Sequence, residues 1–300
     1  MRRVSFSLLL LLVLSACQQS NEPVDLQALA GKARGGDNSA MTKLVDLLAV
    51  DANGVNDQVY TIVTELGEKA IPALLKEVAS ADKSQREHVI AALGSLKAVA
   101  AIAPISQILG DKSLGRRYVA AWALGEIGEV SGIPALLQAL NDDDTEVRKY
   151  ATRALIKFNQ NAVEPLIAYL ATAPPQGGAG AIRALGDIAD PRALNPLLAQ
   201  VNGVNREEVF LALGKLRDPR AEETLLQGLV DPAWKVRMNA AMALGPIGSA
   251  ATEAPLRKTL EDDVHVVREW SARSLEVITG QHLKYRNEKG EYVTPYTVYH

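Results

Sequence analysis

The chain has 300 residues, with 32 basic side chains against 35 acidic ones and a single cysteine. A near-even, slightly acidic balance opposes service as a nucleic-acid binder, which needs a basic face. One cysteine excludes a disulfide framework within the chain, so stability must come from packing.

The N-terminus opens with Arg2-Arg3, and an apolar stretch runs from Val4 to Leu14, interrupted only by Ser5 and Ser7. A spanning helix needs about 20 apolar residues, so residues 1–16 read as an export signal. The stretch ends in Leu14-Ser15-Ala16-Cys17. This tetrad resembles the lipobox of bacterial lipoproteins. The resemblance implies a diacylated Cys17, cleavage before it, acylation of the new amine, and attachment to the lipid bilayer there. An ordinary secretory signal followed by an unrelated cysteine is the competing reading. Gln18 in place of an aspartate implies release to the outer membrane, with the body facing the periplasm. Loss of Arg2 and Arg3 leaves 32 − 2 = 30 basic residues against 35 acidic ones. Residues 17–23 form a polar tether ending in Pro23. Seven residues extend at most about 25 Å, which keeps the folded body near the bilayer.

Residues 24–53 read as a helical hairpin, Val24–Ala33 then Ser39–Val50, split by Gly35-Gly36-Asp37-Asn38. Its expected role is a cap over the apolar face of the first repeat. From residue 54 to about 280 the sequence repeats. Leu93, Leu124, Leu155, Leu185, Leu213, Leu244 and Leu275 recur at steps of 31, 31, 30, 28, 31 and 31 residues, five of them within Ala-Leu-Gly. A period near 31 fits two short helices and two turns, the unit of a stacked solenoid. In 144–158, Val147, Ala151, Ala154, Leu155 and Phe158 make one helical stripe. The glycine after Ala-Leu is expected to end the first helix in a left-handed cap. Pro104, Pro134, Pro165, Pro196 and Pro255 are expected in the first turn of the second helix, where a missing N–H costs nothing. Seven residues before each leucine stand Arg86, Arg117, Arg148, Arg206, Arg237 and Arg268; in the fourth of these units Gly178 takes the place.

The pattern Asp…Val-Arg…Ala-Leu-Gly-x-Ile-Gly…Ile-Pro-x-Leu-Leu, clearest in 121–140 and 240–260, resembles HEAT repeats of the phycobilisome-lyase HEAT-like type. The resemblance covers residues 54 to about 278. It implies an all-α fold, a right-handed α-solenoid of about seven helical hairpins, and a structural ladder of repeat arginines and aspartates. The ladder candidates are Asp111 with Arg117, Asp143 with Arg148, Asp231 with Arg237, and Asp263 with Arg268. A basic stripe for phosphate is the other use of such arginines, and the charge balance opposes it.

Two places break the repeat. Pro174-Pro175-Gln176-Gly177-Gly178-Ala179-Gly180 is expected to replace the start of a helix with a loop or hinge. Residues 281–300 carry Tyr285, Tyr292, Tyr296 and Tyr299, half of the eight tyrosines. They read as a small hairpin around Asn287-Glu288-Lys289-Gly290, serving either as a lid on the last unit or as an aromatic contact surface. The four histidines have no metal-ligand spacing, and no nucleophile elbow or phosphate-cradling loop occurs. The expectation is therefore a scaffold or assembly factor that binds an envelope protein, with no cofactor, no metal and no catalysis. The competing class, implied by the resemblance, is an enzyme or cofactor handler of the bilin-lyase or di-iron hydroxylase kind.

Overall fold

A computed structural model describes residues 24–295. Cys17, Tyr296 and Tyr299 lie outside the described residues. Among the described residues are 17 α-helices and one two-stranded hairpin.

The hairpin α1 (Leu26–Arg34) and α2 (Asn38–Leu47) comes first. Each helix is opened by an aspartate: Asp25 accepts from the N–H groups of Gln27 and Ala28, and Asp37 from those of Ser39 and Ala40. Such caps fill orphan donors of the first turn. Seven hairpins come after it: α3 (Val55–Glu65) with α4 (Ile71–Glu77), α5 (Lys83–Ser95) with α6 (Ile102–Gly110), and α7 (Tyr118–Ile127) with α8 (Ile133–Ala139). Next come α9 (Thr145–Lys157) with α10 (Gln160–Leu170), α11 (Pro175–Ile188) with α12 (Leu194–Leu198), and α13 (Arg206–Leu216) with α14 (Glu222–Gly228). The last is α15 (Trp234–Ile247) with α16 (Glu253–Thr259), and then a single helix, α17 (His265–Thr279). From α5 onward each first helix packs on the first helix of the next hairpin, which makes the chain an α-solenoid. The seven repeat leucines are all buried in one continuous core.

The Ala-Leu-Gly glycines do not end their helices. Gly94, Gly125, Gly186, Gly214 and Gly245 lie inside α5, α7, α11, α13 and α15. They mark where first helices touch. A Cβ on Gly186 would sit 2.7 Å from the Cα and Cβ of Ala212, and one on Gly125 would sit 2.8 Å from the Cβ of Ala154. Gly94, Gly125, Gly186 and Gly214 thus receive an alanine of the next unit and Gly245 receives Ser274, so the sequence triplet encodes a helix-to-helix seam. The left-handed residue comes later, four positions after the leucine: Lys97, Gly128, Asn159, Ala189 and Arg217 all have positive φ. Only Gly128 takes that conformation without a Cβ penalty.

This seam gives a test. Alanine is normally favoured over glycine inside a helix by about 1 kcal/mol. Gly186→Ala should nevertheless destabilise the chain by about 1–3 kcal/mol, because the added methyl overpacks a backbone contact. Gly31→Ala in α1, with nothing within 4 Å of the new Cβ, should stabilise. Urea midpoints of the two variants check this, and a stabilising Gly186→Ala would remove the seam argument.

Two further expectations are corrected. Pro165 is the sixth residue of α10, not in its first turn. In the other second helices of the seven repeat hairpins a short 3-10 turn precedes the helix, whereas here α10 begins directly at Gln160. The Pro174–Gly180 segment is also not a break: α11 starts at Pro175 and runs through it. Proline suits the first helical position. The glycines make room for neighbours; a Cβ on Gly180 would lie 2.9 Å from Leu140 Cδ2 and 3.2 Å from Thr152 Oγ1.

Candidate functional site

Arg86, Arg148, Arg237 and Arg268 are each the fourth residue of their helix, Arg206 is the first of α13, and Arg117 directly precedes α7. Three anchor their Nη1 in the same way. Arg148 donates to the carbonyls of Asp142 and Asp143, Arg237 to those of Asp231 and Pro232, and Arg268 to those of Asp262 and Asp263. Arg117 instead donates to the carbonyls of Leu109 and Leu114, and Arg86 to that of Ser80. In Arg117, Arg206 and Arg237 the guanidinium also reaches into the following unit. Arg117 grips both oxygens of Asp142, at 2.5 and 2.8 Å, with each side chain only 6% exposed. Arg237 grips both oxygens of Asp262, at 2.7 and 3.0 Å, and also Asp263 at 2.6 Å. Arg206 faces Asp231 at 3.3 Å.

The pairs expected within one unit are therefore corrected. Asp231 partners Arg206 rather than Arg237, and Asp263 partners Arg237 rather than Arg268. Asp143 pairs with Lys112, not Arg148. Asp111 accepts from Ser113, not Arg117. The reason is reach: within a unit the arginine is already beside its own turn, whose carbonyls satisfy it, and its free edge points along the stack. Asp142 and Asp262, absent from the expected set, are the principal carboxylates. Their signal in the sequence is the acid two residues after the leucine closing the previous second helix: Leu140-Asn141-Asp142 and Leu260-Glu261-Asp262.

Burial raises the carboxyl pKa of Asp142, but hydrogen bonds from Arg117 and from the Asp144 N–H outweigh it, leaving the group below its ordinary value. Asp262 is held low in the same way by Arg237 and the Val264 N–H. A second motif lies outside the expected ladder. In Asp190-Pro191-Arg192 and Asp218-Pro219-Arg220 the arginine folds back onto its own aspartate, which also caps the turn. Arg192 holds Asp190 at about 2.

The ladder ends on the tail. Strands β1 (Tyr285–Arg286) and β2 (Tyr292–Val293) pair antiparallel. Arg268 donates Nε to the Arg286 carbonyl and Nη2 to that of Asn287, where a further unit would have offered an aspartate. Tyr285 is buried against α17, and burial raises its pKa. It packs the lid and is not a contact surface. Tyr292 is 66% exposed.

Between successive first helices, partly exposed ion pairs join Glu126 to Lys157, Asp187 to Lys215 and Glu207 to Lys235. The rings of Tyr118 and Tyr150 lie 5.0 Å apart, tilted by 36°, with Arg153 over Tyr150. Val204, Val230 and Trp234 stand exposed at the turns before α13 and α15 and at the start of α15. Among the described residues, no group of three or more His, Cys, Asp or Glu side chains could hold a metal ion. No described helix is long and apolar enough to cross a membrane.

HEAT repeats match residues 71–156, 133–209 and 201–276. No curated protein matches the chain. Among solved structures, the karyopherin Kap121p bound to the SUMO protease Ulp1p is similar over 87% of this chain and 38% of its own, at 15% identity and a TM-score of 0.61. Human deoxyhypusine hydroxylase in complex with glycerol matches over 85% of this chain and 98% of its own, at 20% identity and a TM-score of 0.36. The CpcE–CpcF complex of phycocyanin lyase from Nostoc sp. PCC7120 matches over 68% of this chain and 86% of its own, at 22% identity and a TM-score of 0.37. At these identities the likeness concerns the fold alone.

Proposed function

The chain belongs to the HEAT-repeat family, and from that premise we propose that it is a non-catalytic scaffold or assembly factor for another protein, tethered through an acylated Cys17. The tether places it on the periplasmic side of the cell envelope, and Gln18 favours the outer membrane. The observation that carries the scaffold half is where the repeated charges go. The buried arginines Arg86, Arg117 and Arg268 turn their donors onto carbonyls and carboxylates of the stack itself. Groups that must repeat to hold the solenoid together are poor marks for a single partner. Recognition then falls to features that occur once, such as the exposed Tyr292 and the apolar trio Val204, Val230 and Trp234. Aromatic side chains are frequent anchors at interfaces.

One experiment addresses both halves. The acylated protein and its Cys17→Ser and Tyr292→Ala variants are expressed, fractionated and used to capture envelope proteins. Cys17→Ser is expected to remain unprocessed or leave the membrane fraction. Tyr292→Ala is expected to weaken capture while its melting temperature stays near that of the parent. A processed Cys17→Ser protein still firmly in the membrane removes the anchor. A stoichiometric metal or a visible chromophore in the purified protein removes the non-catalytic scaffold.

A further inference from the structure

Among the described residues three ladder arginines pair with no carboxylate: Arg86 and Arg268 are buried, whereas Arg148 is half-buried. Arg148 is anchored like Arg237 and Arg268, with Nη1 on the two carbonyls of its own turn, Asp142 and Asp143, at 2.7 and 3.0 Å. In Arg237 the remaining edge, Nε with Nη2, meets Asp262; in Arg268 it meets the tail carbonyls. In Arg148 that edge has only Thr145 Oγ1 on Nη2, from its own unit.

The cause lies in the next turn. The ladder acid stands two residues after a leucine in Leu109/Asp111, Leu140/Asp142, Leu229/Asp231 and Leu260/Asp262. At the equivalent place, two residues after Leu170, stands Thr172. The backbone geometry there is unchanged: Asp142, Thr172, Asp231 and Asp262 each donate their N–H to the carbonyl three residues back. The ladder acids also accept the N–H two residues on, from Ser113, Asp144, Ala233 and Val264. The residue two past Thr172 is Pro174, which has no N–H. Both the acid and the donor that would hold it are thus missing at this turn alone among these five.

The free edge is still placed against the next unit. Gln176 at the start of α11 donates to the Asp142 carbonyl at 2.9 Å, the same oxygen that Arg148 holds. Thr172, Pro174 and Pro175 beside it are exposed. The nearby acids are already engaged: Asp142 by Arg117, Asp143 by Lys112, and Asp144 as the cap of α9.

We propose that the Nε–Nη2 edge of Arg148 is a docking point for an aspartate or glutamate carboxylate presented by a partner protein, which would complete the ladder in trans. A planar guanidinium fork matches a carboxylate with two parallel bonds, which gives both strength and orientation. This inference rests on the chain being a protein-binding scaffold and names the chemistry of the partner's contact.

The test monitors the Arg148 Nε–H signal by NMR in the full chain in detergent, assigned by its loss in Arg148→Gln. The probes are a blocked five-residue peptide with one aspartate among alanines, the same peptide with asparagine, and acetate. The aspartate peptide is expected to shift the signal saturably, and the asparagine peptide to bind at least about tenfold more weakly. Thr172→Asp, which restores the acid in cis, is expected to abolish the shift while keeping the fold. An unshifted signal, equal shifts from both peptides, or an undiminished shift in Thr172→Asp overturns the proposal. Acetate binding as tightly as the peptide assigns the edge to a free small carboxylate and overturns the partner. If envelope capture succeeds equally with wild type and Arg148→Gln, the docking point falls and the scaffold stands. If the peptide binds but no envelope protein is captured, the scaffold falls and takes the partner with it.

Discussion

Asp142→Ala is expected to destabilise the solenoid by about 3–5 kcal/mol, the range for removing one partner of a buried ion pair. The cause is not chiefly the attraction that is lost. Arg117 and Asp142 are each 6% exposed, and Asp142 accepts both a two-pronged grip from Arg117 and the Asp144 N–H. Truncation leaves a buried guanidinium charge hydrogen-bonded to carbonyls only, with no carboxylate nearer than Asp144 and Asp111, neither bonded to it. Arg117→Met combined with Asp142→Leu should recover most of the loss, since a buried pair replaced by apolar groups is often near neutral. A double-mutant cycle in urea measures both, and a single-variant loss under about 1 kcal/mol would mean that water reaches the pair. The pH dependence has a definite sign. The folded pKa of Asp142 lies below its ordinary value near 3.8. Its contribution is therefore fully present above that value and is lost as pH falls through the lower, folded pKa. Wild type should lose stability below about pH 4, and Asp142→Ala should show a shallower slope there.

Leu155→Ala or Leu244→Ala should each cost about 2–5 kcal/mol, the range for large-to-small changes in a core. Both leucines are fully buried in α9 and α15. They are flanked by the alanines Ala154 and Ala243, which receive the glycines of the preceding units, Gly125 and Gly214. The contact is so close that little relaxation can fill the space. In a nearest-neighbour stack the damage should stay partly local. Hydrogen exchange in Leu244→Ala should quicken first in α13, α15 and α17, before α5 and α7 respond. A loss below about 0.5 kcal/mol at both sites would contradict the seam as the main source of rigidity.

The range of each interaction separates what is legible in the chain from what is not. The 31-residue period and the buried leucine stripe are local, or repeat along one helix, so composition and spacing suffice to place them. The lipobox-like Leu14-Ser15-Ala16-Cys17 is likewise a matter of neighbouring residues. The glycine of Ala-Leu-Gly reads as a cap in one dimension, yet its role is to touch an alanine about 30 residues away. Distance along the chain favours Asp111 as the partner of Arg117; in space the stack brings Asp142 closer. Residue propensities count against a helix over Pro174–Gly180, and close packing on Leu140 and Thr152 decides the other way. The repeat and its buried face are thus written in the amino-acid order, because they depend on periodicity alone. Which charge meets which, which glycine is a seam, and that Arg148 keeps an unmatched edge are settled only in the folded stack. Each of those depends on how one unit is set against the next, and a relation between units is written in neither unit alone.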